Sequence, residues 1–151
     1  MESRLTIREL QEGDIEALSR IEAASFSMPW SAQDFADLLK HDYCMYLVAE
    51  VDGQVAGCCG MTNICNEGNI DNVVVAEAFR GRGIAGELLR QLIARGDAQG
   101  VEAYTLEVRV SNSAAIHVYE KQGFVSEGIR PNFYERPTED AMIMWRRKVS
   151  E

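Results

Sequence analysis

The sequence predicts a mixed α/β fold: a central, mostly antiparallel seven-stranded sheet with four helices. Two local patterns and the chain length carry this expectation. Alternating segments in the first half are joined by Asp52-Gly53, a pair that tolerates the positive φ angles of a type I′ hairpin turn. Residues 73–86, VVVAEAFRGRGIAG, run from an apolar strand through closely spaced glycines into a long helical period. At 151 residues the chain has the usual size of one domain, about 100 to 150 residues, and can bury a real core. A single domain over residues 1–151 is therefore expected.

Taken in order, residues 4–9 alternate Leu5 and Ile7 against Thr6 and Arg8, the pattern of a half-buried strand, β1. Gly13-Asp14 then starts an amphipathic run, α1, with Ile15, Leu18, Ile21 and Ala24 on one face. Pro29 breaks that helix, and Ser31, with Asp34 three residues on, caps a second, α2, reaching about residue 40. Residues 45–50 and 54–59 form the hairpin β2–β3, and a turn at residues 66–68 leads into β4 at residues 70–75. The apolar set Ala85, Leu88, Leu89, Leu92, Ile93 and Gly96 recurs at helical spacing in α3, residues 84–98, with Gly100 as terminator.

Residues 103–110 alternate again as β5, with Tyr104, Leu106, Val108 and Val110 on one face and Thr105, Glu107 and Arg109 on the other. The run Ser111-Asn112-Ser113 caps α4, which extends to about residue 122 and closes at Gly123. Residues 124–129 and 141–147 read as β6 and β7. The segment between them, residues 130–139, is too polar and proline-bearing to continue a sheet.

Composition excludes several function classes. No apolar run approaches the roughly 18 residues of a membrane helix, and the first residues lack the basic-then-apolar pattern of a signal peptide, so a cytoplasmic location is expected. Cys44, Cys58, Cys59 and Cys65 show no C-x-x-C spacing, and with only His41 and His117 beside them no metal site is expected. A net charge of −9 argues against nucleic acid as a direct ligand and is compatible with a basic protein partner or with a plain solvated surface.

The glycine loop is the strongest chemical signal. A strand that passes through glycines into a helix leaves backbone N–H groups without internal acceptors and turned outward, a cradle for phosphates. A P-loop would need a Gly-Lys pair, and the chain has none. Gly81, Gly83 and Gly86 satisfy G-x-G-x-x-G, but a dinucleotide fold places that string in its first βαβ unit, whereas here it lies mid-chain after a hairpin. A third pattern, Arg/Gln-x-x-Gly-x-Gly/Ala, is met by Arg80, Gly83 and Ala85, with a further arginine at Arg82. A glycine-rich turn that caps a helix for packing alone would read the same way.

With the element order, that third pattern resembles the coenzyme A pyrophosphate loop of the GCN5-related N-acetyltransferases (GNAT), and the resemblance covers essentially the whole chain. Residues 26–31 (FSMPWS), 106–112 (LEVRVSN), 114–124 (AAIHVYEKQGF) and 139–144 (EDAMIM) resemble most closely the branch of the family that acetylates the N-terminal alanine of ribosomal protein S18. Ala85 replaces a commoner Gly, and Glu77 stands where relatives often carry Pro; the pattern accommodates both. The resemblance implies a GNAT fold splayed between β4 and β5, acetyl-CoA as co-substrate, and ribosomal protein S18 as a basic protein acceptor. Another protein N-terminus, a lysine or a small amine is the alternative acceptor. Outside catalysis the alternative is an acetyl-CoA-binding module, against which the presence of both Glu107 and Tyr119 speaks.

Acetyl transfer from a thioester to an amine needs a neutral amine, a polarised carbonyl, a proton acceptor and a proton for the departing thiolate. An α-amino group has a pKa near 8 against about 10.4 for lysine, so neutralising lysine at pH 7 costs about 3 kcal/mol more. By the resemblance Glu107 is the base, acting through water or with its pKa raised; paired with Arg109 it would be a plain sheet-face glutamate. Tyr119, seven residues after Asn112, is by the resemblance the acid for the thiolate; a buried structural tyrosine is the other reading.

The resemblance also implies cofactor contacts from the backbone of Val73, Val74 and Val75 and from the loop Arg80, Gly81, Arg82, Gly83, Ile84, Ala85 and Gly86. A backbone N–H within residues 72–75 would polarise the carbonyl. Asn112 either bonds the cofactor or only caps α4. Trp30 and Tyr134 either flank the acceptor or only pack, and His117 reads as a helix-surface residue.

Overall fold

A computed structural model describes residues 4–27 and 29–147; Met28 of the 26–31 segment lies outside them. The sheet has seven strands in the order β1-β2-β3-β4-β5-β7-β6. They are β1 (Leu5–Glu9), β2 (Cys44–Val51), β3 (Gln54–Ile64), β4 (Glu67–Val75), β5 (Ala103–Arg109), β6 (Val125–Tyr134) and β7 (Glu139–Arg147). Every neighbouring pair is antiparallel except β4 with β5. Four α-helices complete the described chain: α1 (Ile15–Ser25), α2 (Ala32–Leu38), α3 (Ile84–Ala98) and α4 (Ser113–Lys121).

Local chemistry sets most boundaries. Asp52 and Gly53 both take positive φ, 51° and 82°, as a type I′ turn requires. Ser31 caps α2 in a reciprocal box: its Oγ accepts from Asp34 N–H at 3.1 Å while Asp34 Oδ2 accepts from Ser31 N–H at 2.8 Å. Asn112 Oδ1 accepts from Ala115 N–H at 3.2 Å at the start of α4, and Gly123 closes that helix at φ 91°. Asp14 is held by the Arg8 guanidinium at 2.7 and 2.8 Å, which keeps its carboxyl below the usual range and ties the turn before α1 to β1.

Three expected boundaries move. The turn between β3 and β4 is Cys65-Asn66, with φ 54° and 67°, not residues 66–68; β3 runs on to Ile64 and β4 starts at Glu67. Gly68 therefore lies inside β4, buried beside Tyr104. α2 ends at Leu38, two residues early. β6 continues to Tyr134 although it contains Pro131, because β6 is an edge strand and the register shifts between Arg130 and Tyr134, so the missing proline N–H costs no ladder bond.

Two apolar clusters lie on opposite faces of the sheet. The larger joins Leu88, Leu89, Leu92 and Ile93 of α3 and Tyr119 of α4 to Leu47, Cys59, Met61, Ile70, Leu106 and Val108. The smaller joins Leu18 and Phe35 of α1 and α2 to Tyr46, Val48, Cys58 and Val74. Each fully buried leucine contributes about 1.5–3 kcal/mol, so α3, with three, is the principal anchor. It packs tightly on β5 at Gly96, where the Tyr104 hydroxyl reaches over the helix and its one proton is shared between Ile93 C=O and Asp97 Oδ1, each at 2.8 Å.

A Cβ at Gly96 would overlap that hydroxyl and sit 3.0 Å from Met61 Cε. Gly96→Ala is expected to destabilise the protein by about 1–3 kcal/mol, because the overpacking outweighs alanine's better helix propensity. Urea unfolding monitored by circular dichroism measures it; an unchanged or raised midpoint would contradict the packing described.

Candidate active site

The parallel ladder between β4 and β5 is three residue pairs long: Glu67 with Ala103, Gly68 with Tyr104 and Asn69 with Thr105. Past Asn69, β4 stays on β3 as far as Val75 opposite Gly57, while β5 stays on β7 as far as Arg109 opposite Ala141. The facing edges of residues 70–75 and 106–109 thus present alternate N–H and C=O groups with no strand partner. The divergence starts at a bulge: Met61 pairs with Ile70 and Gly60 with Asn72, leaving Asp71 extra and bending β4 away from β5.

At the end of β4 the chain enters the glycine loop. Gly81 and Gly83 have φ 78° and 75°, and no atom lies within 4 Å of a Cβ placed on either. Gly83 is the N-cap of α3, and the first helical bond runs from Glu87 N–H to Gly83 C=O at 3.1 Å, so the N–H groups of Ile84, Ala85 and Gly86 precede it. Open space before a helix N-terminus fits a pyrophosphate.

The side chains around this loop are already engaged. Arg80 donates to Val75 C=O at 2.9 Å and Ser25 Oγ at 3.2 Å, and Arg82 lies over the Phe79 ring, 5.4 Å from its centre. Both arginines brace the loop. Val73 and Val75 pack toward α3 and Val74 toward α1, which leaves their backbone as the part that faces the opening. Asn112 uses Oδ1 as a cap, and its amide N–H₂ makes no hydrogen bond among the described residues.

Leu106 and Val108 pack into the cluster under α3, so by strand alternation Glu107 faces the opposite side of the sheet. Tyr119 comes from α4 on the α3 side. The two residues expected to move protons therefore flank the opening from its two faces. Arg109, a possible partner of Glu107, is turned away: it bonds Pro137 C=O and Glu135 C=O at 3.0 Å and Glu139 at 3.3 Å, and stacks 4.5 Å from the centre of the Tyr134 ring. Glu107 makes no side-chain hydrogen bond or ion pair among the described residues.

Tyr119 is 8% exposed, and burial first, then Cys59 and Tyr134, raise its phenol above the usual value. Its hydroxyl makes no hydrogen bond among the described residues. The Tyr134 phenol is pushed up to about 12, by burial and then by the charge of Glu107. Tyr134 thus lies near enough to Glu107 to feel its charge and near enough to Tyr119 to raise that phenol in turn.

Trp30 sits in the smaller cluster, 5.5 Å from Phe35 and 5.7 Å from Tyr46 between ring centres. Its backbone N–H donates to Glu22 Oε2 at 3.4 Å. Sequence reading passed over Glu22, which is buried, and over the side chain of Asn72, which donates to it. The signal was present as a glutamate four residues after Leu18 on the inner face of α1. His117 is exposed on α4, away from this opening.

A sheet split over part of one parallel pair, with a helix N-terminus at the mouth of the split, can take an extended ligand that pairs like a strand and ends in phosphate. The chain belongs to the acetyltransferase (GNAT) family, whose model matches residues 15–124. The family uses acetyl-CoA. A Bacillus subtilis protein whose name proposes a bS18-alanine N-acetyltransferase is 36% identical over 96% of this chain and 97% of its own length. The bS18-alanine N-acetyltransferase of Escherichia coli K12 is 34% identical over 92% of this chain and 95% of its own. The crystal structure of the ribosomal-protein-S18-alanine N-acetyltransferase from Escherichia coli superposes with a TM-score of 0.89 at 31% identity, covering 98% of this chain and 97% of that one.

Gly53 provides a control for the glycine loop, since it too has positive φ with open space at its Cβ position. Gly83→Val and Gly53→Val should each lose about 1–2 kcal/mol of stability to backbone strain. Only Gly83→Val should also lose acetyl-CoA affinity, by tenfold or more, in calorimetric titration.

Proposed function

We propose that this protein transfers the acetyl group of acetyl-CoA to the α-amine of a protein N-terminus, and that its acceptor is the N-terminal alanine of ribosomal protein S18. The observation that supports it best is the placement of Glu107 and Tyr119 on the two faces of the β4–β5 opening. A thioester carried in from the α3 and α4 side meets an amine arriving from the other face. The acceptor assignment rests on the relatives named above and on the lower proton affinity of an α-amine, about 3 kcal/mol easier to neutralise at pH 7 than lysine.

In this reading the glycine loop and the start of α3 hold the pyrophosphate, Asn112 adds a side-chain donor, and the unpaired edge of residues 73–75 pairs with the pantetheine arm. A backbone N–H of that edge polarises the thioester carbonyl. Glu107 draws the proton from the acceptor ammonium through water. The amine attacks the carbonyl carbon, the C–S bond breaks, and the sulfur takes the Tyr119 proton as it leaves. Trp30 and Tyr134 border the acceptor on the face of Glu107. The net charge of −9 favours a basic N-terminal segment at long range.

Peptides that begin Ala-Arg should be acetylated on the α-amine, and an internal-lysine peptide at no more than about one hundredth of that rate. Equal rates, measured by mass spectrometry of the products, would replace the N-terminal assignment with a lysine one.

Glu107→Gln should lower kcat by about 10²- to 10⁴-fold with acetyl-CoA affinity nearly unchanged. Tyr119→Phe should lower it by roughly 10²-fold, and less with an acyl donor whose thiol is more acidic. The Tyr119 pKa is raised above 10, so the protonated donor persists throughout the range below that value. Wild-type kcat should therefore show no falling limb up to pH 10 in a steady-state pH profile.

A further inference from the structure

Glu22 of α1 is 1% exposed, and no cation pairs with it among the described residues. Both of its oxygens are nevertheless spoken for. Oε1 accepts from the Asn72 side-chain amide, and Oε2 accepts from the Trp30 backbone N–H at 3.4 Å. A carboxyl buried without a counter-ion is costly, and an apolar side chain of similar volume is often the more stable choice for such a place. Leu18, one turn earlier on the same face, is that choice.

The two partners of Glu22 give its placement a meaning. Asn72 is the first β4 residue beyond the Asp71 bulge, where the strand has already parted from β5. Its backbone lies on the unpaired edge of residues 70–75 that faces the opening. Trp30 opens the segment leading into α2 and lays its ring on Tyr46. One buried carboxyl thus joins the edge on the cofactor side to the loop on the acceptor side. Neither segment is otherwise tied to the other through a hydrogen bond among the described residues.

We infer that Glu22 is a positioning residue for acetyl transfer: through Asn72 it sets the orientation of the β4 edge beyond the bulge, and through the Trp30 N–H it sets the acceptor loop against that edge. This rests on the acetyl-transfer reading of the site but not on the identity of the acceptor. Glu22→Gln is the informative change. It keeps the volume and an oxygen for the Asn72 amide, but turns an N–H₂ toward the Trp30 N–H, donor against donor.

The test compares wild type, Glu22→Gln and Glu22→Asp on the Ala-Arg peptide, with acetyl-CoA affinity from calorimetry and thermal midpoints measured in parallel. Glu22→Gln is expected to lose about tenfold in kcat and to raise the acceptor KM, with acetyl-CoA affinity within about twofold and an unchanged or higher midpoint; Glu22→Asp, which keeps the carboxylate, should recover part of the loss. Wild-type kinetics in Glu22→Gln would overturn the inference. So would a parallel fall in midpoint, acetyl-CoA affinity and turnover, which would mark Glu22 as a fold residue only.

If wild type fails to acetylate the peptide, the acceptor reading is what falls, and the Glu22 inference is decided by fluorescence. In a Trp145→Phe background Trp30 is the single tryptophan. Its emission should shift to the red in Glu22→Gln, and an unshifted emission would overturn the inference.

Discussion

The site depends on a ladder that stops. A parallel pair of strands normally continues until one of them ends, since every unpaired N–H and C=O forgoes a hydrogen bond. Here β4 and β5 both run on after Asn69 and Thr105 and part company, each held by its antiparallel neighbour on the other side. The long pairings of β3 with β4 and of β5 with β7 make this possible, because each half of the sheet is stable without the seam. The exposed backbone edges then become a binding surface of fixed geometry, available to a ligand that can pair like a strand.

Two clusters on opposite faces keep the halves in place. Beneath the seam, α3 bridges it: Leu88, Leu89 and Leu92 share one cluster with Met61 of β3 and Leu106 of β5, and Tyr104 clamps the helix at Gly96. On the other face α1 and α2 pack on residues of β2, β3 and β4, and no β5 residue joins that cluster among the described residues, so Glu107 stays only half-buried. Glu107 faces that side of the seam, while α3 and α4 lie on the other. The asymmetry follows from helix placement and from no single residue.

Polar groups near the seam are arranged so that the candidate proton carriers stay free. Arg109, the nearest cation to Glu107 on its own strand face, is taken up by Glu139 and by two carbonyls of the β6–β7 turn. The Glu139 carboxyl, bonded by Ser111 and then by Arg109, is held below its usual range, which locks the end of β5 to the start of β7. Arg80 is likewise spent on Val75 and Ser25. Burial raises Tyr119 and Tyr134, so both phenols stay protonated in the neutral range, and Glu107 has no cation partner among the described residues.

Elements whose chemistry is local were legible in the sequence. The Asp52-Gly53 turn, the Ser31 and Asn112 caps, the α3 stripe and the alternation of β5 depend on neighbours a few residues away, and the structure has them where the pattern put them. The glycine loop was legible for the same reason, since a positive φ before a helix is a demand on one or two residues. What the sequence left undecided involves contacts far along the chain. Pro131 is tolerated in β6 because β6 is an edge strand among the described residues, which no local window reports. A separation of 50 positions between Glu22 and Asn72 hides a buried pair that reads locally as a charge on an otherwise apolar helix face. The face on which Glu107 stands was set by its sequence alternation, but its partial exposure was decided only when α1 and α2 settled over β2, β3 and β4, because burial is a property of the assembled layers.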